Sequence, residues 1–104
     1  MSKGSLTLYI TGHTNRSESA INNLNSLHKN YLLDTFEVSV VDTLENPSQA
    51  EADNILATPT LIKHSSTGDI RIIGDLSNTN QILQLLGLRD NKNINSEDKN
   101  GKNQ

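Results

Sequence analysis

The chain has 104 residues, room for one domain, with 33% hydrophobic, 3% aromatic and 20% charged residues and a formal net charge of -3. Its nine basic residues are scattered, so nothing forms the clustered cationic surface that nucleic-acid binding needs. The absence of cysteine excludes disulfides, thiolate metal sites and thiol catalysis, and no apolar run approaches the roughly 20 residues of a membrane-spanning helix.

The start, Met1 to Gly4, leads straight into a strand without the longer apolar region of a signal peptide, so a cytoplasmic protein is expected. Leu6, Leu8 and Ile10 alternate with Thr7 and Tyr9, the period of a strand. Gly12-His13-Thr14-Asn15 breaks it. Asn15 with Glu18 three residues later resembles a capping box and opens a helix. Ala20, Ile21, Leu24, Leu27 and Tyr31 follow at three- and four-residue spacing and mark its apolar face.

Phe36, Val38 and Val40 alternate with Glu37 and Ser39, predicting a second strand that ends near Asp42. Asn46 is a suitable cap and Pro47 a suitable first residue for a short polar helix over roughly 47–56, ended by Pro59. Thr60-Leu61-Ile62 and Ile70-Arg71-Ile72-Ile73 flank Ser65-Ser66-Thr67-Gly68, a hairpin. Ser77 is expected to cap a last helix bearing Ile82, Leu83, Leu85 and Leu86, with Gly87 as its stop.

Residues 89–104 hold one apolar side chain, Ile94, with four basic and three acidic groups. Such a segment buries too little surface to offset its ordering entropy and is expected to be a disordered polar tail. Residues 1–88 form the domain and carry five basic against nine acidic groups, a net of -4. The element order is βαβαββα, an α/β arrangement that matches the thioredoxin-like order.

Chemistry is sparse. A thioredoxin-like enzyme attacks through a low-pKa thiolate where its first helix begins, and Gly12 to Ser17 hold no sulfur, so dithiol exchange is impossible. His13, His28 and His64 lack the spacing of a helical two-histidine metal site, and His13 has no evident nucleophile or orienting carboxylate in its stretch. They read as solvated side chains. Asn15, Arg16 and Ser17 offer at most an anion site at a helix start. Asp42, Glu45, Glu51 and Asp53 surround the Asn46-Pro47 turn and suit a solvated acidic face that docks a basic partner patch. Neither a cofactor nor a metal is expected.

Two blocks carry a family resemblance: Asn46-Pro47 through Ile55-Leu56-Ala57-Thr58-Pro59-Thr60-Leu61, and Arg71-Ile72-Ile73-Gly74-Asp75-Leu76-Ser77-Asn78. With Tyr9, Gly12 and Val40-Val41-Asp42, they resemble the KaiB family over residues 5–88. The resemblance implies a metamorphic circadian-clock protein that binds the ring-shaped ATPase KaiC. Its resting homo-oligomer, a dimer or tetramer, would have the order βαββααβ, and its partner-bound monomer the thioredoxin-like βαβαββα. The first half would be common to both, while residues from about 47 onward would exchange helix and strand.

On that reading Asp42, Glu51, Asp53 and Asn54 are the partner-contact residues. Pro59, a proline that fold analogy makes cis, is the pivot, and Gly74, Asp75, Ser77 and Asn78 form the junction that changes structure. The chain departs from the clock pattern in its mixed-charge tail, in Ser65 to Gly68 for a proline-rich turn, in Asn54 for a basic residue, and in Leu85 and Gly87 for Gly and Asp. These changes put contacts to KaiA in doubt. Leu85 favours helix over glycine by about 0.5–1 kcal/mol, which tilts the balance toward the thioredoxin-like form.

The function expected is therefore a non-enzymatic regulator of a KaiC-like ATPase, in a clock or in stress adaptation. Two other readings stand beside it. One is a redox-inactive thioredoxin-like sensory or docking module of a signalling system, such as the input domain of a clock-linked histidine kinase. The other is an enzyme using His13 with the anion site.

Overall fold

A computed structural model describes residues 3–88. The expected tail, 89–104, lies outside the described residues. Among the described residues the strands and α-helices follow one another as β1 (Gly4–Ile10), α1 (Asn15–Leu27), β2 (Phe36–Asp42), α2 (Pro47–Ala52), β3 (Thr60–His64), β4 (Ile70–Ile73) and α3 (Thr79–Leu85). The strands form one sheet in the order β2-β1-β3-β4. β1 runs parallel to β2 (Leu6 opposite Val38) and antiparallel to β3 (Thr7 opposite Ile62), and β3 and β4 form an antiparallel hairpin (Leu61 opposite Ile72).

β1 is central, and both its faces are covered: Leu6 through Ile10 are all buried. Its alternation therefore separates two cores instead of an inside from an outside. Leu6, Leu8 and Ile10 pack with Leu61 and with Ala20, Leu24 and Leu27 of α1 and Ile82 and Leu83 of α3. On the opposite face Tyr9 and Ile62 meet Ala50 of α2, with Val41 and Ile55 beside them. Each fully buried Leu or Ile contributes about 1.5–3 kcal/mol, so the first cluster dominates stability.

The helix caps differ from those expected. Thr14, not Asn15, caps α1: its Oγ1 accepts the Ser17 N–H at 3.1 Å, because Thr14 has the extended backbone that a cap needs while Asn15 is already helical. Asn78, one residue after Ser77, caps α3 by accepting the Gln81 N–H at 3.1 Å. Ser77 instead gives its N–H to the Asp75 carboxylate. Asn46 precedes α2 but makes no side-chain cap there; its amide reaches back to the Asp42 carbonyl. α2 stops at Ala52, short of the expected residue 56, because Asn54 takes a left-handed backbone (φ 55).

The apolar face of α1 also changes register. After Leu27 the chain makes one π turn, His28–Leu32. The wider turn advances the buried position by one residue, so Leu32 is buried while Tyr31 is 47% exposed. At the other end of the domain Gly87 is the stop that its position predicts. It has φ 83, and the Leu88 N–H bonds the Leu83 carbonyl at 2.8 Å.

Candidate docking surface

The residues singled out from the sequence fall into three environments. Asp42 ends β2, and its Oδ1 accepts the backbone N–H groups of Gly12 at 3.1 Å and Leu44 at 2.9 Å. The Gly12 bond first, then that of Leu44, holds its carboxyl below the usual carboxylate value. Asp42 thus ties the β1–α1 loop to the chain leaving β2.

Asp53 follows α2 and accepts the hydroxyl of Tyr9 through Oδ2. Burial, and then that hydrogen bond, push the Tyr9 phenol up to about 12. Val41 packs in the Tyr9 cluster, so the next residue, Asp42, turns to the other face of β2. The two aspartates therefore sit in separate hydrogen-bond systems. Glu51 and Asn54 are exposed with no such tie. The four expected contact residues lie in and around α2, and of them Glu51 and Asn54 have polar ends with no side-chain hydrogen bond among the described residues.

The second group surrounds the β3 start and the β4 exit. Pro59 is buried and follows a cis peptide bond from Thr58, as the fold analogy has it. Gly74 (φ 126) gives its N–H to the Pro59 carbonyl at 3.0 Å, so the residue expected to be the pivot touches the expected junction. Leu76 is the unusual residue of that junction. It is not glycine, yet it has φ 65 and is 4% exposed in the main core. Such a backbone costs about 1–2 kcal/mol, which burial of the side chain offsets. Asn23 of α1 helps by donating to the Asp75 carbonyl at 2.8 Å.

Sequence reasoning missed several features. Thr11, Thr43 and Thr58 share hydroxyl contacts, with Thr11 Oγ1 2.9 Å from Thr43 and 2.7 Å from Thr58, so the ends of β1 and β2 and the proline loop are linked. Around them Leu56 is 96% exposed, Leu44 68% and Ile73 69%. The exposure of Leu56 and Ile73 has no sequence signature, since each sits in an apolar run that suits a core equally well, whereas Leu44 stands alone between Thr43 and Glu45.

The histidines are not simply solvated. His13 Nδ1 lies 2.7 Å from Glu18 Oε2, one helical turn ahead, so an orienting carboxylate is present after all. The Glu18 hydrogen bond, then its charge, raises the His13 pKa above the ordinary value. His64 Nε2 sits 3.0 Å from Thr7 Oγ1, and His28 Nε2 3.3 Å from the Phe36 carbonyl. The anion site sketched at Asn15 to Ser17 is partly used up, because the Ser17 N–H serves the Thr14 cap. No group of His, Asp or Glu among the described residues is arranged to hold a metal ion. Nor is any helix among them long and apolar enough to cross a membrane.

Known proteins fit this geometry. A family model described as the KaiB domain matches residues 7–88. The circadian clock protein KaiB3 of Synechocystis sp. is 47% identical over 83 residues, covering 80% of this chain and 79% of its own. The circadian clock oscillator protein KaiB of Thermostichus vulcanus is 44% identical over 78 residues, 75% of this chain and 72% of its own.

Among solved structures, the N-terminal domain of Synechococcus elongatus SasA aligns with a TM-score of 0.65 at 20% identity, over 86% of this chain and 89% of that one. The Drosophila germline thioredoxin Deadhead aligns at 0.67 and 12% identity, over 82% and 79%. These two likenesses give the fold, which is thioredoxin-like. The match over nearly all of residues 3–88, at identities well above the level of shared fold alone, gives more: the chain belongs to the KaiB family.

Proposed function

We propose that the protein is a non-enzymatic regulator that docks onto a KaiC-like ring ATPase and modulates its cycle, in a clock or in stress adaptation. The observation that carries this is the KaiB domain over residues 7–88, with relatives named as circadian clock proteins. A cytoplasmic location goes with that role.

The contact face is built on Asp42, Glu51, Asp53 and Asn54 around α2. Glu51 and Asn54 make the contacts, while Asp42 and Asp53 hold the loops that present them. The body's net of -4 favours a basic patch on the partner. The second half of the chain is the part that changes structure, with Pro59 as pivot and Gly74, Asp75, Ser77 and Asn78 as junction. Support comes from its short helices, six residues in α2 and seven in α3, and from left-handed Asn54 and Leu76, all in the second half. An alternative packing of such a segment need differ by only a few kcal/mol. Self-association into a dimer or tetramer is the resting state on this reading.

Size-exclusion chromatography with light scattering tests it, on the protein alone and after long incubation with a KaiC-like ATPase and ATP. A dimer or tetramer that slowly becomes a stoichiometric complex supports switching and docking. A stable monomer that ignores the ATPase sinks them.

The likeness to the SasA N-terminal domain favours one other reading, a redox-inactive sensory or docking module of a signalling system. A longer natural chain running on into a kinase would decide for it.

A further inference from the structure

β4 is an edge strand, with β3 on one side only. The Gly74 N–H points inward to the Pro59 carbonyl, and antiparallel ladders alternate, so Ile72 also faces β3. The main-chain N–H and C=O groups of Arg71 and Ile73 therefore point outward from the free edge. The side chains of the same two residues flank an apolar cleft of about 90 Å³, walled by Ile55, Leu56 and Ala57. Leu56 and Ile73 are 96% and 69% exposed. Arg71 has no salt bridge among the described residues, although the body is net acidic.

We propose that the β4 edge is a strand-addition site for an extended segment of a partner protein. The segment carries an apolar residue and, two positions further on, a carboxylate. Paired antiparallel to β4, it exchanges main-chain hydrogen bonds with Ile73 and Arg71. Its residue opposite Ile73 then fills the cleft against Leu56. The residue two places later, on the same face, lies opposite Arg71 and offers the guanidinium its missing partner. Edge strands normally carry charge or cover that prevents such pairing, and here the single charge is one that selects an acidic partner. Nothing in this inference depends on a ring ATPase.

Amide NMR on the ¹⁵N-labelled full chain tests it. The probe is an acetylated, amidated heptapeptide, Thr-Thr-Val-Thr-Asp-Thr-Thr, titrated to millimolar concentration. Shifts are expected at the amides of Arg71, Ile73 and Leu56. Replacing the peptide's Asp by Lys is expected to weaken binding about tenfold or more, and Arg71→Glu, at an exposed site that leaves the core intact, is expected to reverse that preference. No shift, shifts confined to residues 36–42 of the other edge, or equal binding of the two peptides by wild type would each overturn the proposal.

Discussion

The hydroxyl of Tyr9, on the central strand, donates to the carboxylate of Asp53, the residue that follows α2. Tyr9 is fully buried, so this bond anchors the exit of a six-residue helix to an inner strand of the sheet. The left-handed turn at Asn54 comes next in the chain, and the exposed Leu56 two residues later. The proposed docking face is thus tied to the interior of the fold.

Tyr9→Phe should remove the anchor while filling the same space. A loss of about 1–2 kcal/mol is expected, from a hydrogen bond to a charged acceptor, measured by urea denaturation. The phenol itself supplies a second readout. Its folded pKa, about 12, lies above the unfolded value of 10.0, so the stabilisation is complete below pH 10 and is lost as pH rises toward 12. Asp53→Ala should bring the absorbance titration of Tyr9 to a lower midpoint.

His13 should titrate above the ordinary imidazole value of 6.5, since the Glu18 carboxylate holds its proton. The stabilisation from this pair is present below that value and fades as pH rises through the folded pKa. In Glu18→Gln the His13 ring resonances should shift their midpoint back down. An unchanged midpoint would mean that the pair does not form in solution.

Asp42 has the opposite sign. Its carboxyl is held below the ordinary value of 3.8 by two backbone donors, so its contribution is present above that value and disappears as pH falls through the folded pKa. Asp42→Asn should melt at lower temperature than wild type at neutral pH. The two melting curves should converge in acid.

Neighbouring caps offer a sharp comparison. Asn78→Ala should cost about 1 kcal/mol, because it removes the acceptor for the Gln81 N–H. Ser77→Ala keeps that acceptor and should change stability by less than about 0.5 kcal/mol. Parallel chemical denaturation of the two variants reads the difference.

Element type and order were readable from the sequence wherever apolar spacing and turn residues agreed, as in β1, α1, the hairpin and the Gly87 stop. What failed was local backbone detail. Thr14 beside Asn15 and Ser77 beside Asn78 are chemically equivalent caps on paper, and only the backbone angle separates them. Asp42, Glu51 and Asp53 were readable as acidic positions around Asn46-Pro47, but the separate hydrogen-bond systems of Asp42 and Asp53 were not. Those depend on Tyr9 and Gly12, more than 25 positions away. Leu76 could not have been foreseen at all, since a leucine carries no sign of a left-handed backbone.

The π turn at His28–Leu32 has a consequence for how the chain tolerates change in length. Five residues there span what a regular helix crosses with fewer, so this stretch holds one residue of slack between Leu27 and the strand that begins at Phe36. Deleting Lys29, which is exposed, would turn the stretch into ordinary helix and keep Leu32 packed with Ala20, Leu24 and Leu27. Losing a residue here would simplify the geometry and leave the core its full set of side chains.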